Sequence, residues 1–104
     1  MSLPVLIRPE AECDLIEHAV FLGQDDPLVA RRFLAAAERV FAELARMPAI
    51  GRLREFEDPR LAGLRSCLIT PFSNYVASYL HTATGIDVVR VLHGAQDIEE
   101  HLKG

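Results

Sequence analysis

A chain of 104 residues, half of them apolar, has enough core for one domain to fold without disulfides. Its formal charge of -4 argues against a general nucleic-acid binder, which would present a basic surface to the phosphate backbone. No apolar run approaches the roughly 20 residues that cross a bilayer, and two cysteines with neither a CxxC nor a secretory leader fit a reduced cytosolic protein with ordinary buried thiols.

The chain opens with Leu3-Pro4-Val5-Leu6-Ile7, an apolar run expected to form a strand with Pro4 at its start or on an edge. Pro9 suits the first position of a helix, Glu10, Glu12 and Asp14 suit the positive end of its dipole, and Gly23 is a natural stop. Ala11, Leu15, Ala19 and Leu22 recur at helical spacing, with Ile16 and Val20 predicted to widen the buried stripe. Asp26-Pro27 opens a second helix as an N-cap followed by a proline. There Ala30, Phe33, Leu34, Ala37, Val40, Phe41, Leu44 and Met47 repeat on one face. Arg39, Glu43 and Arg46 fall on the solvated side as helix-surface neighbours, worth about 0.2–0.5 kcal/mol per pair.

Pro48 ends this helix, and residues 49–60 read as a loop of nearly balanced charge. Gly63 to Ile69 alternates well enough for a strand, and Thr70-Pro71 with Ser73-Asn74 marks a turn. From Asn74 onward the pattern is a β-hairpin: Val76, Val88, Val89 and Val91 are β-branched, Tyr75 and Tyr79 aromatic, and Thr82-Ala83-Thr84-Gly85 connects the strands. Asp97 to Lys103 has the length for one or two helical turns. The order strand, helix, helix, three strands predicts a single α+β domain over residues 1–104, with two antiparallel helices on one face of a mostly antiparallel four-stranded sheet. The other face is then open for a partner.

Alternation decides which side chains reach that face. In the last strand Ile86, Val88, Arg90 and Leu92 share one side and Asp87, Val89, Val91 and His93 the other, unless a bulge shifts the register. Arg90 lies inside an apolar run, so it needs a carboxylate such as Asp87 or Asp97, or a place at the open face. Arg65 is the second candidate for a displayed guanidinium, and two arginines across a sheet would bind anions. The last strand ends in a polar knot, His93-Gly94-Ala95-Gln96-Asp97, where a histidine serves either as a general base or as a hydrogen-bonding partner of the local backbone. His18, His81, His93 and His101 lack metal-site spacing, Cys67 lacks a His and an acid at diagnostic spacing, and no cofactor is expected.

On these residues the chain resembles toxins of the RelE/ParE superfamily of bacterial type II toxin-antitoxin pairs, and within it the ParE branch. The resemblance runs through Pro9 to Leu15 (PEAECDL), Pro27 to Phe33 (PLVARRF), Met47-Pro48 with Gly51, Leu64-Arg65, and Val91 to Asp97 (VLHGAQD), in that order over nearly the whole chain. Asp97 matches the family's acidic residue, whereas Gln96 stands where ParE-like sequences commonly carry an arginine. The resemblance implies a RelE/ParE-like fold and a cytoplasmic, growth-inhibiting toxin of the plasmid-stabilising kind. A cognate antitoxin would hold it in a hetero-oligomer, its disordered tail folding as helix or strand across the open sheet face and the helices. Operator DNA would be reached only through the antitoxin, and no membrane is involved.

ParE-like toxins inhibit DNA gyrase by binding, which requires no catalytic set; Arg65, Tyr75, Arg90, His93 and Asp97 are then expected to meet the target or the antitoxin. The RelE branch instead cuts messenger RNA on the ribosome, which requires a base for the ribose 2′-hydroxyl, cations for the phosphate and an acid for the leaving oxygen. Arg65, Arg90 and His93 supply part of such a site, but Val76 stands about where that branch carries an arginine, and Ile98-Glu99 stand where it carries a tyrosine. A third reading keeps the fold as a binding module with neither toxicity nor catalysis.

Overall fold

The computed structural model describes residues 2–94, 96 and 98–102. Strand β1 (Val5–Ile7) leads into helices α1 (Pro9–Leu22) and α2 (Pro27–Arg46). Then come β2 (Arg52–Leu53), a 3-10 turn (Pro59–Leu61), β3 (Arg65–Ile69), β4 (Phe72–His81), β5 (Ile86–His93) and the short helix α3 (Ile98–Leu102). Both long helices begin where their prolines predict, and the Asp26 carboxylate caps α2 by accepting from the Leu28 amide at 3.0 Å. The Thr82 hydroxyl accepts from the amides of Thr84 and Gly85, which tightens the β4–β5 turn.

The strands form one sheet in the order β1-β5-β4-β3-β2, mostly antiparallel, with β1 parallel to β5. It has five strands where the sequence predicts four. The additional one, β2, pairs only Arg52 with Ser66 and Leu53 with Arg65, too short to leave an alternating pattern.

Helices α1 and α2 cover one face, and the core lies between them and the sheet. Phe33, Ala37, Val40 and Leu44 of α2 meet Ile69, Ala77, Tyr79, Val88 and Val91. The buried stripe of α1 is Ala11, Asp14, Leu15 and Ala19; Ile16 and Val20, predicted to extend it, are 59% and 63% exposed. Leu34 of α2 and Met47, which caps its end, likewise face solvent, and Ala36 and Ala45 take places in the buried stripe. An apolar helix surface exceeds what one sheet face can cover, so periodicity alone overstates the stripe's width.

The register of β5 shifts between Ser78 and Tyr79 of its partner: Tyr79 faces Val88 but Ser78 faces Arg90, leaving Val89 as the extra residue of a bulge. The simple alternation is therefore broken at that point. Ile86 and Val88 lie on the helix face together with Val91 and His93, whereas Arg90 and Leu92 oppose Ser78 and Val76 on the second face. That second face is not open throughout. The chain between β2 and β3 folds over it, burying Leu61 and Leu64, which line a small cavity with Leu80 and Val89.

Beyond β1, the outer edge of β5 is closed by α1. The Arg8 amide donates to the Val88 carbonyl at 3.0 Å, Asp14 Oδ2 accepts from the Val91 amide at 3.0 Å, and His18 Nε2 donates to the Val91 carbonyl at 2.9 Å. An exposed edge would otherwise invite pairing with another chain.

Candidate functional site

The end of β5 gathers several of the predicted residues. Tyr75 is buried on the helix face with three edge-on ring neighbours: His18 at 4.8 Å, Phe33 at 5.0 Å and His93 at 5.2 Å between centroids. Burial pushes its hydroxyl above the usual tyrosine range. It supports the surface from beneath instead of being displayed on it. His93 is half-buried at the lip, and its amide donates to Gln96 Oε1 at 2.7 Å. Gln96, the residue that departs from the family's arginine, thus fastens the turn that follows β5. Asp97 lies outside the described residues.

Arg90 is held by a carboxylate other than the two the sequence proposes. Its Nε and Nη2 donate to Asp14 at 2.7 Å each, and its Nη1 donates to the carbonyl of His101 at 3.3 Å. These bonds to Asp14 raise its pKa further. Asp87 is taken instead by Arg8, through contacts of 2.7 to 3.1 Å. Arg65 opposes Tyr79 on the helix side of the sheet, and its Nη1 donates to the Gly51 carbonyl at 2.9 Å. Arg65 and Arg90 therefore lie on opposite faces and do not form the predicted anion-binding pair.

The Gly51 segment that Arg65 grips is fixed a second time. Tyr79, fully buried, accepts from the Gly51 amide at 2.9 Å and donates to the Pro48 carbonyl at 2.7 Å. A Cβ at Gly51 would come within 2.6 Å of the Tyr79 oxygen, so only glycine fits this approach.

What stays accessible on the second face is a groove of about 220 Å³ beside His93. Val76, Ser78 and Leu92 form its floor, Arg54 and Phe56 stand on one side, and Gln96 and Ile98 on the other. Arg54 lies 5.5 Å from the Phe56 ring centroid and donates to Ser66 Oγ at 3.3 Å. An apolar floor with one guanidinium on its rim suits a peptide segment. Among the described residues no cluster of three His, Cys, Asp or Glu side chains could hold a metal ion, and no helix is long and apolar enough to cross a membrane.

Asp14, His18, Arg54 and Phe56 escape the sequence reading. For the first two a signal exists: position 14 falls within the buried stripe of α1 and position 18 beside it, half-buried, and an acid and an imidazole there require partners across the interface. Arg54 and Phe56 lie in irregular chain that carries no periodicity.

Residues 5–98 match the family model described as ParE toxin of type II toxin-antitoxin system, parDE. No curated protein matches the chain.

Proposed function

The chain belongs to the ParE toxin family of type II toxin-antitoxin systems, and on that premise we propose that it arrests growth by binding DNA gyrase and is neutralised when its cognate antitoxin folds upon it. What most supports binding over catalysis is the commitment of Arg90. Its guanidinium, one of the two that the sequence offers for a phosphate, is already neutralised by Asp14 through two contacts of 2.7 Å. Arg65 faces the other side of the sheet, so the cations for in-line attack on RNA do not converge. In this proposal His93, at the lip of the groove, and Asp97 meet the partner, while Arg65, Tyr75 and Arg90 keep that surface in shape. Toxin and antitoxin form a hetero-oligomer in the cytoplasm, and operator DNA is reached through the antitoxin.

The test is inducible expression in a bacterial host, following growth, plasmid topology and messenger integrity together. Growth arrest with cleaved or relaxed plasmid and intact messages is the expected result. Codon-periodic message cleavage with normal supercoiling would overturn it in favour of ribonuclease action. Unchanged growth would leave only a silent binding module.

A further inference from the structure

Away from the groove beside His93, two uncompensated cations of α2 border an apolar hollow. Arg32 and Arg39, both exposed, are seven residues apart, which on a helix is nearly two full turns and a rise of about 10 Å, so they leave the same flank. Val29 and Ala35 lie beside and between them, and Pro71 and Phe72 of the β3–β4 turn stand across from them; these six residues line a groove of about 460 Å³. Pockets of roughly 300–1,000 Å³ are the ones that hold small ligands. Phe72 is half-buried and stands edge-on to the buried Phe33 at 5.4 Å, which fixes its ring against the core. None of the six lining residues is acidic, and among the described residues no carboxylate lies within salt-bridge distance of Arg32 or Arg39. Glu43, expected as a surface neighbour of Arg39 and Arg46, forms an ion pair with neither. Arg39 is instead steadied by the Thr70 carbonyl, to which its Nη2 donates at 3.1 Å.

We propose that this groove binds a free nucleoside di- or triphosphate, with its base against Pro71 and Phe72 and its phosphates on Arg32 and Arg39. Guanidinium forks match phosphate oxygens bidentately, and two of them call for an anion with more than one charge. An apolar wall with a fixed aromatic ring gives a base its stacking surface. Val29, Ala35, Pro71 and Phe72 carry no side-chain hydrogen-bonding group to read a base edge, so adenine and guanine should be held alike. A nucleic-acid strand fits less well. Strand-binding grooves stack successive bases on several aromatic rings, whereas Phe72 is the one aromatic side chain lining this groove, and the chain's net charge of -4 opposes a long polyanion. Gyrase need not be the toxin's target for such a site to be occupied.

The full chain is titrated by calorimetry in magnesium-free buffer with ATP, GTP, adenosine, inorganic pyrophosphate and a short oligothymidylate. ATP and GTP should bind alike, with a Kd on the order of 0.1 mM. Adenosine and pyrophosphate, each offering one part of the ligand, should bind at least tenfold more weakly, roughly what losing one set of contacts costs. Arg32→Ala and Arg39→Ala should each weaken ATP binding by about tenfold and flatten its salt dependence. Ala35→Trp, which keeps every charge but fills the groove, should abolish it. Arg46→Ala, which removes the next arginine along the helix but not one that lines the groove, should leave it unchanged. Circular dichroism establishes that the variants fold, and Arg39→Lys, which keeps the charge but not the fork, replaces Arg39→Ala should that variant not fold. Absence of ATP binding, pyrophosphate bound as tightly as ATP, equal losses in Arg46→Ala and Arg32→Ala, full binding by Ala35→Trp, or oligothymidylate bound more tightly than ATP would each overturn the proposal.

Discussion

Asp14→Ala is the substitution that most directly tests how the end of β5 is held. It removes two charge-assisted bonds to Arg90 at 2.7 Å and the acceptor for the Val91 amide at 3.0 Å. The two side chains are only 8% and 16% exposed, so water replaces little of what is lost. Breaking a buried pair by deleting one partner costs about 3–5 kcal/mol. Arg90 keeps some solvent and its bond to the His101 carbonyl, which places the expected loss near the bottom of that range, about 3 kcal/mol. For a domain of this size that corresponds to a fall in Tm of roughly 12–24 °C. Urea unfolding followed by circular dichroism reads the loss as a lower midpoint at unchanged slope. Asp14→Asn, which retains one acceptor, should lose about half as much, and a double-mutant cycle with Arg90→Ala should show a coupling above about 1 kcal/mol. A loss below about 1 kcal/mol for Asp14→Ala, or additive single changes, would refute the claim that this pair anchors α1 to β5.

Two further outcomes follow from buried hydroxyl and thiol groups. Tyr79→Phe should cost about 2 kcal/mol, because the Gly51 amide and the Pro48 carbonyl lose their partner. Burial pushes the Tyr79 hydroxyl upward, so the folded chain keeps a proton that the unfolded chain releases. Stability is then full below pH of about 10 and falls as pH rises through the folded value, a decline that unfolding measured in alkaline buffers should show flattened in Tyr79→Phe. Tyr75 and the Cys67 thiol, raised in the same direction, contribute to what decline persists; an identical alkaline profile in the variant would refute the assignment. Cys13 is exposed, whereas burial, with Glu43 nearby, disfavours the Cys67 thiolate. A thiol-exchange reagent near neutral pH should modify Cys13 first and Cys67 at least about tenfold more slowly, and equal rates of the two would contradict the packing of β3 against α2.

Much of this architecture is legible locally. Pro9, Asp26 and Pro27 mark helix starts by chemistry that acts within a few residues, and the β4–β5 hairpin is written in its β-branched residues and its Thr82 to Gly85 turn. What escapes the sequence depends on partners far along the chain. The bulge at Val89 exists only as a mismatch between two strands, and it moves Arg90 and Leu92 to the face opposite Ile86 and Val88, with which alternation groups them. β2 is defined by the strand it meets, and Leu61 and Leu64 are buried by a fold-over that leaves no period. Asp14 reads locally as a dipole-matched acid, yet its partner is 76 residues away. The candidate site follows the same rule. His93 and Tyr75 are recognisable at the hairpin's end, but whether an arginine nearby is displayed or neutralised is decided by a distant helix.

The pairing of β1 with β5 sets an order of completion. Val5 leaves the ribosome well before Ile86, yet the two are neighbours in the sheet. Until β5 has been synthesised, β1 has no strand beside it, and Asp14 and His18 have no edge to close. Both long helices then carry their buried stripes uncovered on the growing chain, since β3 and β4 also follow them. A nascent chain interrupted before Ile86 lacks the seam between β1 and β5, so this toxin takes its shape only once β5 has emerged.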